Sequence, residues 1–351
     1  MYKLIKVLFL AFLILGCEQV TDSQAPTLEG EWLVPKDEVF DGGPGQDGIP
    51  ALLNPWFDNQ KNIIYMNDDD LIIAVKKDGI VKGYPHPILD WHEIVNDQIN
   101  SNVFAVTYCP LTGSALGWKR VIKGKTTTFG VSGLLYNSNL IPYDRLTGSR
   151  WSQMLELSIN GELIGSKPET FQVLEMTWQA FQSIYPDAKV IQENTGYSRN
   201  YGLYPYGNYK DDNSLLFPIS PIDDRLPRKE RVIGVVSGGV AKAYRLDETS
   251  DGPDVMIDTL NTIELIVVRD SEAKFGAIFL NNLNGNKLSN FVAVKDSLPV
   301  VMRDDKGNYY DLFGEVVSGI DAGKRLEWID SYIAYWVAWA GFHPNTQIYG
   351  N

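Results

Sequence analysis

Apolar and polar positions alternate along this chain with a short period. Leu71-Ile72-Ile73-Ala74-Val75 and Gly79-Ile80-Val81-Lys82-Gly83-Tyr84 are β-branched runs broken by glycine, the pattern of a hairpin. Val103-Phe104-Ala105-Val106-Thr107-Tyr108 reads as a buried strand, and residues 126–131 as another. Between them, residues 87–96 carry Ile88, Trp91, Ile94 and Val95 at helical spacing. Residues 177–185 predict a short helix that Thr177 can cap and Pro186 stops. A sister helix is predicted over residues 331–342, stopped by Pro344. Strands do not alternate with long helices, so the expected class is strand-rich α+β rather than a doubly wound sheet.

The pattern also repeats. Ala74, Val75, Gly79, Lys82 and Tyr84 are answered by Gly234, Val235, Gly239, Lys242 and Tyr244 at an offset of 160. Gly148 and Trp151 are answered by Gly307 and Tyr310 at 159. Trp178, Phe181, Tyr185 and Pro186 are answered by Trp336, Trp339, His343 and Pro344 at 158. This ordered series predicts a tandem duplication of one unit of roughly 150 residues, packed as a double domain. The expected division is 47–217 for the first repeat, 218–230 for a proline-bearing linker and 231–351 for the second repeat.

Residues 1–16 change the picture at the N-terminus. Lys3 and Lys6 precede an apolar run from Val7 to Leu15, and Gly16-Cys17 follows. The run is shorter than the roughly 20 residues of a membrane-spanning helix and has the layout of a secretory signal. Ile14-Leu15-Gly16-Cys17 resembles a bacterial lipobox, which makes Cys17 an acylated N-terminal residue and residues 17–46 a tether and lead-in. The membrane is then a partner through the lipid. The expected location is the cell envelope, at the outer membrane of a Gram-negative cell because Glu18 rather than Asp follows Cys17. Apolar residues at 44% supply a sizeable core. The net charge of -13, with no basic run, gives no reason to expect nucleic acid as a partner. Of the two cysteines, only Cys109 would keep a thiol.

At the offset of 160 the second copy has Gly252 opposite His92 and Arg269 opposite Cys109. A site using either belongs to the first copy. The stretches His92-Glu93-Ile94-Val95-Asn96-Asp97, Thr107-Tyr108-Cys109-Pro110-Leu111, Phe129-Gly130-Val131-Ser132-Gly133-Leu134-Leu135-Tyr136 and Asp144-Arg145-x-Thr147-Gly148-Ser149-x-Trp151-Ser152-Gln153 resemble a secreted bacterial and archaeal family catalogued as domain of unknown function 3179. The resemblance implies export and a compact domain, and it supplies no reaction. Many relatives look like Cys-Pro-Leu-Cys where this chain has Cys109-Pro110-Leu111-Thr112, which argues against two-cysteine chemistry here.

Three chemistries suit His92 and Cys109. They could ligate copper or zinc, with His86 as a weaker ligand. His92 could take the Cys109 proton, with Asn96 or Asp97 orienting the imidazole. Cys109 could act as a monothiol redox site assisted by Thr112. Against these stands a small buried cysteine and a satisfied core histidine. Asp144, Arg145, Trp151 and Gln153 form a candidate pocket for a small organic ligand, or an ion pair that stabilises a turn. Asp68-Asp69-Asp70 reads as a solvated turn, and Tyr201, Tyr204, Tyr206 and Tyr209 as cover for a domain junction. Two functions follow: an envelope enzyme or metal-dependent redox protein, or a non-catalytic lipoprotein that captures a ligand. The first requires His92 and Cys109 within about 4 Å of each other or of a common metal.

Overall fold

The hairpin expected at residues 71–84 forms as Leu71–Lys77 and Ile80–Pro85, and it organises the first of several sheets in a computed structural model that describes residues 29–248 and 252–350. The signal segment and Cys17 lie outside the described residues. Strands make up 43% of the structure and helices 8%, so the class is strand-rich α+β. Leu174–Thr177 pairs antiparallel with Leu71–Lys77, and Lys189–Ile191 pairs parallel with Ile80–Pro85. A meander of Ile94–Ile99, Asn102–Cys109 and Ser114–Lys119 follows the hairpin. Another is built from Phe129–Tyr136, Asn139–Asp144, Arg150–Ser152 and Leu157–Asn160.

The order of the central strands recurs in the second half, in sheets of four, three and four strands where the first-half counterparts each have five. Ser331–Tyr335, Arg231–Ser237, Val240–Arg245 and Gln347–Ile348 repeat the hairpin sheet, including its one parallel pair. Asp254–Leu260, Ile263–Asp270 and Phe275–Leu280 repeat the three-stranded meander. Phe291–Ala293, Val300–Asp304, Tyr309–Asp311 and Val316–Ser318 repeat the four-stranded one. Strand register sharpens one sequence alignment. Cys109 pairs with Ser114 as Asp270 pairs with Phe275, an offset of 161, so the strand-end position of Cys109 belongs to Asp270 rather than Arg269.

Among the described residues three short α-helices complete the fold: α1 (His86–His92), α2 (Trp178–Ile184) and α3 (Trp336–Phe342). α1 ends earlier than its periodicity predicts because Glu93 adopts φ 56, a left-handed conformation that stops a helix. Ile94 and Val95 therefore belong to a strand. α2 is capped as expected, the Thr177 hydroxyl accepting from Ala180 N at 3.3 Å. Residues 331–335 form a strand rather than the first turn of α3, because they pair along Arg231–Ser237.

Packing crosses between the halves. One core joins Ile94, Leu116, Trp118, Phe129 and Trp151 of the first half to Val232, Trp336, Trp339 and Phe342 of the second. A second core joins Ile72, Met176, Trp178 and Phe181 to Ile266, Phe275, Phe279 and Phe313. Each half therefore lays its hairpin and helix on the meanders of the other. Equivalent backbone bonds close the two seams, Tyr335 N to Thr112 O at 2.8 Å and Thr177 N to Ala273 O at 3.0 Å. The cores shared between the halves enclose α2 and α3, whereas α1 packs through Ile88 and Leu89 into a core of the first half alone.

Side-chain volume is adjusted to this exchange. Ala74 faces Gly83 across the first hairpin, and Gly234 faces Ala243 across the second. In the first half a Cβ on Gly83 would come within 2.9 Å of the Phe181 ring. In the second, a Cβ on Gly234 would fall 2.3 Å from the larger Trp339 ring. The glycine sits on whichever strand the helix ring crosses. Gly234→Ala should therefore lower the unfolding free energy by about 1–3 kcal/mol, the usual cost of overpacking. Adding Trp339→Phe should cost less in that background than in the parent chain. Urea unfolding of the four-member cycle checks this, and simple additivity would contradict it.

Candidate functional site

The last turn of α1 holds a long irregular strap. No helix or strand is assigned from residue 192 to residue 230, a length that in compact domains usually signals a functional loop. Four successive residues at the end of α1 each grip it. Lys210 Nζ donates to Asp90 Oδ2 at 3.2 Å, and Trp91 Nε1 donates to Leu203 O at 3.1 Å. His92 Nε2 meets the Tyr201 hydroxyl at 2.7 Å, and the Tyr206 hydroxyl donates to Glu93 Oε1 at 3.4 Å. His92 Nδ1 lies 2.7 Å from Pro50 O, which can only accept, so Nδ1 carries the proton and Nε2 accepts from Tyr201. Burial pushes the His92 pKa down to about 4, in keeping with this neutral tautomer. Burial also pushes the Glu93 carboxyl up to about 8, against the opposing hydrogen bond from Tyr206.

The structure does not join His92 to Cys109. Both imidazole nitrogens are engaged elsewhere, and the Cys109 thiol is enclosed in the first shared core, 3.5 Å from Ser138 O. Burial raises its pKa to about 11, with Glu93 adding to the shift, so the sulfur is a thiol at neutral pH. The expected third member, Asp97, does not orient His92. Its Oδ2 accepts from Lys82 Nζ at 2.8 Å and from the Tyr84 hydroxyl at 2.7 Å. The second half repeats that arrangement as Lys242, Tyr244 and Asp258.

The expected ligand pocket resolves into scaffold in the same way. Asp144 accepts from Thr147 N and Trp151 Nε1, at 2.7 and 3.1 Å, and so ties a tight turn. Asp304 does the same for Asn308 N and the Tyr310 hydroxyl. Arg145 pairs with Asp47 at 2.5 Å, on the surface. Gln153 is buried in a hydroxyl and amide network with Thr107, Ser114 and Asn139. Among the described residues, no group of three or more His, Cys, Asp or Glu side chains is placed to hold a metal ion. His86, His92 and Cys109 have separate partners, so the expected copper or zinc set is not assembled.

His86, the lesser histidine by sequence, is the one that lines a cavity. The cavity is about 330 Å³ and lies where α1, the strap, Leu174–Thr177 and the second half meet. His86 Nε2 is 2.9 Å from Glu175 Oε2, and Arg231 Nη2 contacts the other oxygen of Glu175. The imidazole lies against the Tyr108 ring, centroids 4.1 Å apart. Burial holds His86 well below its ordinary range although Asp90 pulls the other way, so the ring is neutral. Asp90 is 3% exposed and its carboxyl is pushed up by burial, partly offset by Lys210. Its Oδ1 and the Tyr204 hydroxyl are buried without hydrogen-bond partners among the described residues.

Glu175 and Arg231 were absent from the sequence-based site, yet Glu175 carries a signal. It is an acid inside the apolar run Val173-Leu174-Glu175-Met176. Ile333 occupies its place in the second half, and Leu246 occupies that of His86. Both substitutes are buried in an aliphatic core. The asymmetry expected at His92 and Cys109 thus extends to a second pair, and that pair faces a cavity.

Residues 46–346 match the model of the family described as Protein of unknown function (DUF3179). The match spans most of the chain, which therefore belongs to that family. No curated protein and no solved structure matches the chain.

The grip on the strap should respond to acid. An imidazole in the unfolded chain protonates near pH 6.5, whereas His92 resists until about pH 4. Its folded pKa is the lower one, so its contribution is complete above about pH 6.5 and declines as the pH falls towards 4. Limited proteolysis within residues 192–217 should accelerate over that window while far-ultraviolet dichroism is still native. His92→Gln, which takes up no proton, should flatten the dependence. An unchanged pH profile in that variant would show that His92 is not the titrating contact.

Proposed function

We propose that this member of the family is a lipid-anchored protein of the bacterial cell envelope that captures a small polar molecule in the cavity between α1 and Arg231. The observation that carries the reading is the concentration of unsatisfied buried polar atoms at one place. Asp90 Oδ1 and the Tyr204 hydroxyl lack partners, and His86, Glu175 and Arg231 are held mainly by one another. Buried polar groups are ordinarily hydrogen-bonded, so a cluster of exceptions around one opening needs an explanation. A bound molecule supplies one. The volume is at the lower end of the range for small-molecule sites, roughly 300–1,000 Å³.

Two further features support capture. The strap contributes Tyr201, Leu203, Tyr204 and Lys210 to the wall, so it can order around a ligand. The wall opposite the strap is tied to both halves, since Thr177 N, on the strand that carries Glu175, bonds Ala273 O, and Tyr335 N bonds Thr112 O. The enclosed, protonated Cys109 favours capture over thiol chemistry. The anchor rests on Ile14-Leu15-Gly16-Cys17 alone. Several acyl chains on one cysteine would hold the protein stably, each buried methylene contributing about 0.8 kcal/mol.

Two measurements test this. Cells grown with labelled palmitate should yield labelled protein in the membrane fraction, and Cys17→Ser should lose both the label and the membrane association. Protein purified natively and then denatured should release a small molecule detectable by mass spectrometry. Asp90→Asn and Glu175→Gln should release at most a tenth as much. Equal release from folded variants would remove the cavity from the proposal.

A further inference from the structure

The cavity is unevenly charge-matched. On the acidic side Asp90 has one oxygen on Lys210, while its Oδ1 is buried and unpartnered. Asp69 and Asp70 also line the opening. On the basic side Arg231 is committed to Glu175, which His86 also contacts. Lys274 lines the same cavity, and among the described residues it has no ion-pair partner. Its backbone carbonyl accepts from Arg231 Nη1 at 3.4 Å, which places the main chain of Lys274 beside the guanidinium.

We infer that the ligand is a small zwitterion of amino-acid size, with its ammonium group on Asp90 and its carboxylate on Lys274. The inference rests on the reading of this cavity as a capture site. The protein already shows that the acidic corner accommodates an ammonium. Lys210 Nζ lies 4.0 Å over the Tyr204 ring and 3.2 Å from Asp90 Oδ2, a carboxylate and an aromatic face acting together. A ligand ammonium at Oδ1 would complete the second half of that carboxylate and give the free Tyr204 hydroxyl a donor.

The alternatives each leave a charge behind. A neutral polyol would leave the charges of Asp90 and Lys274 without a counter-charge. A polyamine would approach Arg231, Lys210 and Lys274 with no compensation for Lys274. A dicarboxylate would meet Asp69, Asp70 and Asp90. One positive and one negative group on a single small molecule satisfy both unmatched positions, and the volume leaves no room for an oligomer.

Titration calorimetry on the detergent-solubilised full chain decides between these. The probes are the common free L-amino acids, their decarboxylated amines, their N-acetyl derivatives, glucose, putrescine and succinate. At least one amino acid should bind, and at least tenfold more tightly than its amine or its N-acetyl form. Lys274→Met should erase the preference over the amine while leaving amine affinity unchanged. Asp90→Asn should erase the preference over the N-acetyl form. Lys274 is a partly exposed side chain, so its replacement should not disturb folding, and thermal melting verifies that. Binding of glucose, putrescine or succinate alone, lost on Asp90→Asn, would overturn the zwitterion while leaving capture standing. A preference that survives Lys274→Met would also overturn it. Should no probe bind, the molecule released on denaturation decides: one lacking either charge overturns the inference, and no released molecule overturns capture as well.

Discussion

The exchange of aromatic helices between the halves is the constraint on which the remaining architecture depends. Trp336 and Trp339 bury themselves on the first half, and Trp178 and Phe181 on the second. Such side chains bury about 150–250 Å² each, so these few residues carry a large share of the apolar burial that joins the molecule. The strands leading into the helices must then lie along the partner half. Tyr335 N reaches Thr112 O and Thr177 N reaches Ala273 O for that reason. The cavity is a product of the same arrangement. His86 and Glu175 come from one half and Arg231 and Lys274 from the other, and only the crossed packing brings them to a common wall.

Recurrence separates scaffold from chemistry. Lys82, Tyr84 and Asp97 reappear as Lys242, Tyr244 and Asp258, and the Asp144 turn reappears around Asp304. An ionisable group repeated with the same partners in both halves has work that both halves need, which is to close a sheet edge or a turn. His86 and Glu175 face Leu246 and Ile333 in the comparison, so they are not needed for folding in that sense. Keeping a buried imidazole and carboxylate where leucine and isoleucine would pack is unfavourable unless they are paired, and they are.

Much of the fold could be read along the chain. The hairpin, the Thr177 cap and the offsets linking Trp178 to Trp336 all rest on local periodicity and short-range chemistry. The end of α1 could not be read that way, because a left-handed Glu93 overrides a helical apolar pattern. Residues 331–335 became a strand through pairing with a segment about 100 residues earlier. The site was harder still. His92 stood out because it is absent from the second copy, but its role is to hold Tyr201. His86 looked confined by Pro85 and Pro87, and it borders the cavity for the same reason: the prolines start α1 at the sheet edge. Arg231 had no local signal, since its partner Glu175 lies across the crossed interface.

Crossed cores also set an order of events during synthesis. The first 230 residues include Ile72, Met176, Trp178 and Phe181, whose covering surface is supplied by Phe275, Phe279 and Phe313. The surface around Trp118 and Phe129 likewise waits for Trp336 and Trp339. A nascent chain that has passed its midpoint therefore displays two apolar faces with nothing yet made to cover them. The cover for Trp118 and Phe129 is complete only once α3 has emerged, so damage to that helix should be felt in the core of the first half.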